Sequence, residues 1–222
     1  MIEVRDAAGR FVTRSEGRTT SHSFSFGAHY DPANIGFGLL VAHNDEVLAP
    51  GTGYADHQHV DLEIVSVVLS GALRHTSSIG TGVLGPGDVQ RLSAGTGVVH
   101  SEMADITEGP TRFVQTWLRP SEPGGRASYA SGPGTAGQGL VPVVGGDGAI
   151  GIGVAARMFL GTLDAGATVA LPDAARQHLF AIGGVLRIED VLLGPADAAR
   201  ITDEGGRTVA AVEDCRFLLW AG

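Results

Sequence analysis

The chain has 222 residues, of which only 18% are charged, and its formal net charge is −9. This acidic balance, without a basic cluster, excludes nonspecific binding to nucleic acid or to anionic membranes. One cysteine, Cys215, excludes an intramolecular disulfide, and the absence of a long apolar run or a signal-like start leads us to expect a cytoplasmic protein without membrane spans.

The predicted elements are short strands joined by tight turns. Ser23 to Phe26 alternates with the two-residue period of a half-buried strand, and Ile64 to Leu69 is an apolar run that ends at Ser70-Gly71. Leu84 to Asp88 reads Leu-Gly-Pro-Gly-Asp, a strong turn signal. With 34 glycines and no helical stripe, the sequence predicts an all-β chain.

The composition divides the chain in three. We expect an N-terminal domain over residues 1–120, a linker rich in glycine and proline over residues 121–139, and a C-terminal domain over residues 140–222.

The second half repeats the first. Val68 to Arg74 resembles Ala181 to Arg187, and Leu84 to Leu92 resembles Leu193 to Ile201 in the same order. Two matches in one order indicate two similar β units that arose by duplication.

Two spaced pairs of side chains carry the chemistry. His57 and His59 form one pair, and His100 and Glu102 form the other. Strand side chains alternate between faces, so both members of each pair point the same way. Two such strands facing each other in a barrel would bring three imidazoles and one carboxylate to one point, a set that suits Fe, Ni, Cu, Mn or Zn.

Several side chains near these pairs keep more than one interpretation. Glu102 could be a ligand, a hydrogen-bond partner of a ligand or an acid/base group. Glu63 shares the parity of the histidine pair and could lie behind the ligands if the strand is regular. We expect surface or supporting roles for four histidines outside the pairs, His22, His29, His43 and His75.

The repeat also indicates what the second unit lacks. Projected through the matches, the first pair falls on Ala170 and Pro172, and the second falls near Val209 and Ala211. None of these side chains can bind a metal. The C-terminal domain is therefore expected to lack metal ligands.

The sequence resembles the pirin family of double cupins. The resemblance lies in Asp56 to Glu63, in Gly85 to Gln90 and in Ser93 to Met103, which reads Ser-Ala-Gly-Thr-Gly-Val-Val-His-Ser-Glu-Met. Upstream, His22 to Phe26 and Tyr30 to Pro32 are also similar to that family. The chain departs from it at Gln58, where proline is frequent, and at Val60, where a basic residue is frequent, which affects the expected substrate preference.

The resemblance implies two tandem double-stranded β-helix (cupin) barrels, with a divalent metal in the N-terminal one. Carried over by position, the metal ligands are His57, His59, His100 and Glu102, and Fe(II) is the expected metal. Bacterial relatives are described as quercetin 2,3-dioxygenases, and eukaryotic relatives as nuclear cofactors of transcription factors.

Two hypotheses follow. The first is a metal-dependent dioxygenase that opens a flavonol such as quercetin with dioxygen, with Glu102 as general base. The alternative is a non-enzymatic module in which the redox state of the metal alters a surface that binds a protein partner. Isomerase or sugar-binding chemistry rests on the fold alone. In either case we expect a monomer.

Overall fold

The computed structural model describes residues 1–134, 137–202 and 206–222. It is built almost entirely of strands, as expected, and its described helix is a single 3-10 turn, Ala7–Gly9. Contacts divide the chain into two compact units. The N-terminal barrel comprises Phe11–Gly134 with Ile152–Val154, and the C-terminal barrel comprises Met1–Arg10, Thr135–Gly151 and Ala155–Gly222.

The first strand, β1 (Ile2–Arg5), belongs to the C-terminal barrel. The N-terminal barrel contains the next eleven strands: β2 (Phe11–Ser15), β3 (Arg18–His22), β4 (Leu40–Leu48), β5 (Gly53–His59), β6 (Glu63–Ser70), β7 (Leu73–Ser77), β8 (Gly80–Leu84), β9 (Asp88–Ser93), β10 (Val98–Ala104), β11 (Thr111–Leu118) and β12 (Ser128–Pro133).

These strands form two antiparallel sheets. The larger sheet has the order β12-β9-β6-β11-β4-β3-β2, and the smaller has the order β5-β10-β7-β8. Leu48, Val68 and Phe113 of the larger sheet pack with Leu73 and Leu84 of the smaller one in one buried cluster. The apolar cluster therefore closes the space between the sheets, as in a double-stranded β-helix.

The C-terminal barrel repeats this arrangement. Its strands are β1 and β13 (Gly139–Val144), β14 (Arg157–Leu163), β15 (Thr168–Ala170), β16 (Arg176–Gly183), β17 (Leu186–Ile188), β18 (Val191–Leu193), β19 (Ala198–Thr202), β20 (Thr208–Ala211) and β21 (Cys215–Ala221). They form sheets of order β1-β19-β16-β21-β14-β13 and β15-β20-β17-β18, with one large apolar core between them. The fold class predicted from the sequence, two tandem β barrels, is confirmed.

The repeat recurs in backbone detail. Gly71 and Gly184, which the sequence matches to each other, have φ of 71° and 73°. The Asp88 carboxylate accepts a hydrogen bond from the Gly85 N–H (2.8 Å), and Asp197 accepts one from Gly194 (2.9 Å). Both units therefore make the same two turns, and the second turn has the same aspartate hydrogen bond in each unit.

The structure departs from the expected segmentation in two places. Ser128–Pro133, inside the predicted linker, is strand β12 and pairs with β9 along the edge of the larger sheet. Ile2–Arg5, inside the predicted N-terminal domain, pairs with β19 of the C-terminal barrel. Composition did not identify β12 because glycine, proline and serine also occur in edge strands. It also does not indicate which distant strand Ile2–Arg5 pairs with.

The strand predicted over Ser23 to Phe26 was wrong. Strand β3 ends at His22, and the chain then folds into a loop. The Ser25 N–H donates to the Asn34 carbonyl (2.7 Å), and the Ser25 hydroxyl donates to the Asp31 carbonyl (2.9 Å). These local bonds replace the ladder that the alternation predicted.

No helix in the described ranges has the length and apolar composition needed to cross a membrane.

Candidate metal centre

Three neighbouring strands of the smaller sheet of the N-terminal barrel place the candidate ligands. Strand β10 lies between β5 and β7, with His100 directly opposite His57 on one side and Ser77 on the other. A bulge between His100 and Glu102 shifts the register against β5. Bulges of this kind re-aim side chains next to functional sites.

The three paired histidines converge. One nitrogen from each of His57, His59 and His100 lies within 4.8 Å of the others. The His57 ring centroid is 4.8 Å from that of His59 and 4.4 Å from that of His100. A second group, whose ligand atoms also lie within 4.8 Å of one another, consists of His75, His100 and Glu102. Because both groups contain His100, Glu102 lies beside the three paired histidines.

The histidines are held in the form that binds metals. Burial, together with repulsion from His57, lowers the pKa of His59 to about 4 and that of His100 to about 3. Both rings are therefore neutral at pH 7 and each keeps one nitrogen lone pair. His57 directs Nδ1 at the Ala55 carbonyl oxygen (2.8 Å), which makes this nitrogen the donor and leaves Nε2 as the atom that could bind a metal.

A divalent metal fits this set of residues. His100 Nε2 is buried and has no hydrogen-bond partner among the described residues. A buried imidazole nitrogen without a partner is costly unless something binds it. Three imidazoles within reach of one point, with the carboxylate of Glu102 nearby, are a donor set for a divalent transition metal.

Glu102 is held by two buried amides. Gln90 donates from Nε2 to Oε1 of Glu102 (2.7 Å), and Gln115 donates from Nε2 to Oε2 (2.8 Å). Burial raises the pKa of Glu102, and the hydrogen bonds from Gln115, Gln90 and Ser66 oppose that rise, as does the charge of His57. The amides therefore favour the ionised carboxylate that a ligand or a general base requires.

Two aromatic side chains fix the direction of those amides. Trp117 donates its indole N–H to Oε1 of Gln115 (2.8 Å), and Tyr129 donates its hydroxyl to Oε1 of Gln90 (3.2 Å). Each amide thus has its oxygen occupied and can only present its NH2 group to Glu102.

Glu63 does not lie where the strand parity predicted. Asp61 has a φ of 49°, which breaks the strand parity on which the interpretation of Glu63 rested. The Glu63 carboxylate accepts a hydrogen bond from Ser93 (2.7 Å) and lies outside both groups of three. Trp117 is only half-buried, and its ring meets His59 edge-on at 5.0 Å.

Sequence reasoning missed the residues that support the ligands. Gln90, Gln115, Tyr129 and Ser66 have no motif spacing and come from four strands of the larger sheet. The sequence did carry one signal, since Ser66 is a polar residue inside the apolar run Ile64 to Leu69 and its side chain is buried. A buried polar side chain in such a strand needs a partner, and here the partner is Glu102.

The C-terminal barrel has an apolar interior at the corresponding strands. Strand β15 pairs with β20 as β5 pairs with β10, and the buried residues of β20 are Val209 and Ala211. Both groups of three that could hold a metal, among the residues the structure describes, lie in the N-terminal barrel.

Comparison with known proteins gives the family. The pirin family model matches residues 3–118, and a model described as the quercetinase C-terminal cupin domain matches residues 140–220. The chain belongs to the pirin family. Its two barrels are thus the paired cupin domains of a pirin-type metal cupin, as the resemblance implied.

Two bacterial proteins with similar sequences carry names that refer to quercetin 2,3-dioxygenase. A protein of Mycobacterium tuberculosis named "Putative quercetin 2,3-dioxygenase" is 43% identical over 99% of this chain and 94% of its own length. The Escherichia coli protein named quercetin 2,3-dioxygenase is 38% identical over 56% of this chain and 54% of its own length.

A solved pirin structure is also similar. The crystal structure of bacterial pirin YhhW from Escherichia coli in complex with nickel(II) superposes with a TM-score of 0.94 at 30% identity. The match covers 100% of this chain and 98% of that one.

Proposed function

We propose that this pirin-family chain is a metal-dependent dioxygenase that opens a flavonol such as quercetin with dioxygen. The metal ligands in this proposal are His57, His59, His100 and Glu102. The observation that carries it is the convergence of three imidazoles beside a buried carboxylate that two amides hold in place. The names of the mycobacterial and Escherichia coli relatives support the substrate class.

The burial of the ligands favours a reactive site over a purely structural one. His59 and His100 are buried, whereas His57 is only half-buried and lies beside the exposed Asp56 and Gln58. One side of the group therefore faces solvent, where a small molecule could approach. Closed structural metal sites use cysteine-rich ligand sets, which this chain lacks.

Aromatic side chains beside the histidines suit a flat aromatic substrate. The Trp117 ring lies 5.0 Å from His59 and 5.1 Å from Phe26, edge-on to both, and both Trp117 and Phe26 are half-buried. Offset and edge-to-face contacts of this kind stabilise aromatic pairs. A flavonol ring adjacent to His59 would contact Trp117 and Phe26.

Glu102 is the residue proposed to move the proton. A bound divalent metal such as Fe(II), or alternatively Ni, Cu, Mn or Zn, would supply Lewis acidity that favours the deprotonated 3-hydroxyl of a flavonol. A redox-active metal such as Fe(II) would also supply redox chemistry with dioxygen, which Zn(II) cannot. Burial raises the pKa of Glu102, so its carboxylate is a stronger base than an exposed glutamate. In accepting the proton it would give up one of its two amide hydrogen bonds.

Oxygen uptake tests the proposal. Protein loaded with Fe(II), and separately with Ni(II), receives quercetin while dissolved oxygen and released carbon monoxide are measured. We expect uptake that depends on quercetin and disappears in His59→Ala. Glu102→Gln is expected to lower turnover at least about a hundredfold, the usual contribution of a general base. His29→Ala, outside the group, is the control.

Failure would be clear. If protein with one bound metal per chain consumes no oxygen with quercetin, flavonol oxygenase chemistry is wrong. The alternative, a metal-dependent module that binds a protein partner, would then take its place.

A further inference from the structure

We infer that His75 is a positioning residue for His100. A chain of hydrogen bonds from Gly80 through Ser77 and His75, called the relay below, fixes the tautomer of His100 and leaves its Nε2 without a hydrogen. This inference rests on the proposed metal site and adds to it a residue that the paired motif does not contain.

A backbone carbonyl sets which atoms donate and which accept along this series of hydrogen bonds. The Ser77 hydroxyl lies 2.9 Å from the Gly80 carbonyl oxygen, which can only accept. The single hydroxyl hydrogen of Ser77 is therefore used on Gly80. His75 Nε2 lies 3.2 Å from the same Ser77 oxygen, and this nitrogen must then be the donor.

The same logic passes to His100. A neutral imidazole carries one N–H, so a His75 that donates from Nε2 has a bare Nδ1. That Nδ1 lies 3.4 Å from Nδ1 of His100, which must supply the hydrogen. His100 Nε2 is then the atom with the free lone pair, and it is the buried nitrogen that has no partner in the described part of the chain.

Packing holds the His75 ring in the required plane. His75 is fully buried, and its ring stacks on Tyr129 with centroids 4.4 Å apart and planes 13° from parallel. Two glycines leave space for that tyrosine, because a Cβ on Gly80 would lie 2.4 Å from its ring and one on Gly82 would lie 2.8 Å from its hydroxyl. Tyr129 also contacts Gln90, so one aromatic ring supports both His100 and Glu102.

Strand geometry explains why the relay can form. On β7, His75 pairs with Glu102 and Ser77 pairs with His100 of β10. Since His75 and Ser77 are two residues apart, both side chains lie on the same face of the sheet as the ligands. The relay therefore reaches His100 from the side of β7, opposite to the His57 and His59 pair.

Nitrogen NMR on metal-free protein labelled with 15N in histidine tests the inference directly. Long-range 1H–15N spectra distinguish the protonated from the bare ring nitrogen. We expect the hydrogen of His100 on Nδ1 and that of His75 on Nε2. The opposite tautomer for either ring would overturn the inference.

Variants at Ser77 test the coupling, because the hydrogen bonds of the Ser77 hydroxyl go to His75 and Gly80, so it acts on the His100 ring through His75. Ser77→Ala should move the His100 signals towards a mixture of tautomers, while Ser77→Thr, which keeps the hydroxyl, should restore the original spectrum. Ser78→Ala, at the exposed neighbouring position, is the matched control. A side chain that only fills space would leave the His100 tautomer unchanged in Ser77→Ala, and that result would also overturn the inference.

Zn²⁺ affinity, measured by chelator competition, gives the second readout. Ser77→Ala and His75→Phe, which keeps the stacked ring but has no acceptor, should each bind Zn²⁺ about tenfold more weakly than the parent. If the parent binds no Zn²⁺ but shows the expected tautomers, the relay stands and the metal site fails. If the parent binds Zn²⁺ with His100 protonated on Nε2 in the metal-free state, the relay fails and the metal site stands.

Discussion

Gln115 Nε2 lies 2.8 Å from Oε2 of Glu102, and Gln115 Oε1 accepts the indole N–H of Trp117 at the same distance. The amide is held at both ends, so it cannot rotate to offer its oxygen to the carboxylate. Gln115 therefore connects the half-buried Trp117 to the buried carboxyl group of Glu102.

Replacing this amide should weaken the metal site. Gln115→Leu leaves Oε2 of Glu102 without its donor and raises the pKa of the carboxyl further, because burial remains while the opposing hydrogen bond is lost. We expect Ni²⁺ to bind about tenfold more weakly, measured by chelator competition. Gln138→Leu, at an exposed position, should bind as the parent does. Equal affinity in Gln115→Leu would show that the amide does not act on the metal through Glu102.

Metal binding should stabilise the chain through the same histidines. A ligand at one hundred times its dissociation constant adds about 3 kcal/mol to the free energy of unfolding. We expect saturating Ni²⁺ to give such an increase in urea denaturation and a chelator to reverse it. His59→Ala should show no increase, whereas His29→Ala should respond as the parent does. A stabilisation that survives in His59→Ala would place the metal elsewhere.

Glu46 should make stability depend on pH. This buried carboxyl accepts hydrogen bonds from Thr20 and Tyr54, and burial raises its pKa from 4.5 to about 7. A raised pKa stabilises the fold below pH 4.5, and that contribution disappears as the pH rises through about 7. The loss amounts to about 3 kcal/mol above pH 7.

Glu46→Gln should abolish this dependence, since the amide stays neutral and can still accept both hydrogen bonds. In metal-free protein the variant should be up to about 3 kcal/mol more stable than the parent at pH 8 and close to it at pH 4.5. Urea denaturation at both pH values measures the difference. Glu108→Gln, at an exposed position, should have the same effect on the free energy of unfolding at both pH values. A Glu46→Gln effect that is equal at both pH values would contradict the assignment.

The two repeats allow a reciprocal test of backbone strain. Gly87 has a φ of 89°, and its counterpart Ala196 has a φ of 67°, although each donates its N–H to an equivalent carbonyl, Val68 or Ala181, at 2.8 Å. Positive φ costs alanine about 1 kcal/mol relative to glycine. We expect Gly87→Ala to destabilise by about 1 kcal/mol, since the added methyl meets no atom closer than 4.0 Å.

Ala196→Gly should have the opposite sign and stabilise by up to about 1 kcal/mol. Chemical denaturation of both variants gives the two values. Ala210→Gly in β20, where φ is not positive, should destabilise. If Ala196→Gly also destabilises, the positive φ of Ala196 stores no strain.

The sequence predicted the repeat and the paired motif because both depend on local spacing. Alternation alone predicts that His57 and His59 share a face, and the turn residues around Gly71 and Gly184 predict equivalent hairpins. The family resemblance then supplied the arrangement of the sheets. The ligand roles remain predictions that the experiments above address.

Contacts between residues far apart in the sequence could not be predicted in this way. The approach of Gln90 and Gln115 to Glu102 depends on which strands of the two sheets face each other, and periodicity does not encode that. His75 illustrates the same limit. It lies outside the paired spacing, yet register places it opposite Glu102 and within 3.4 Å of His100.

Strand β12 changes how this protein can be divided. The segment between the two halves of the sequence supplies Tyr129, whose ring stacks on His75. A fragment designed to end at residue 120 would therefore lose one edge of the larger sheet and the aromatic support of His75 and Gln90. Chimaeras that exchange the second half should join the chains after Gly134, so that strand β12 stays with the first barrel.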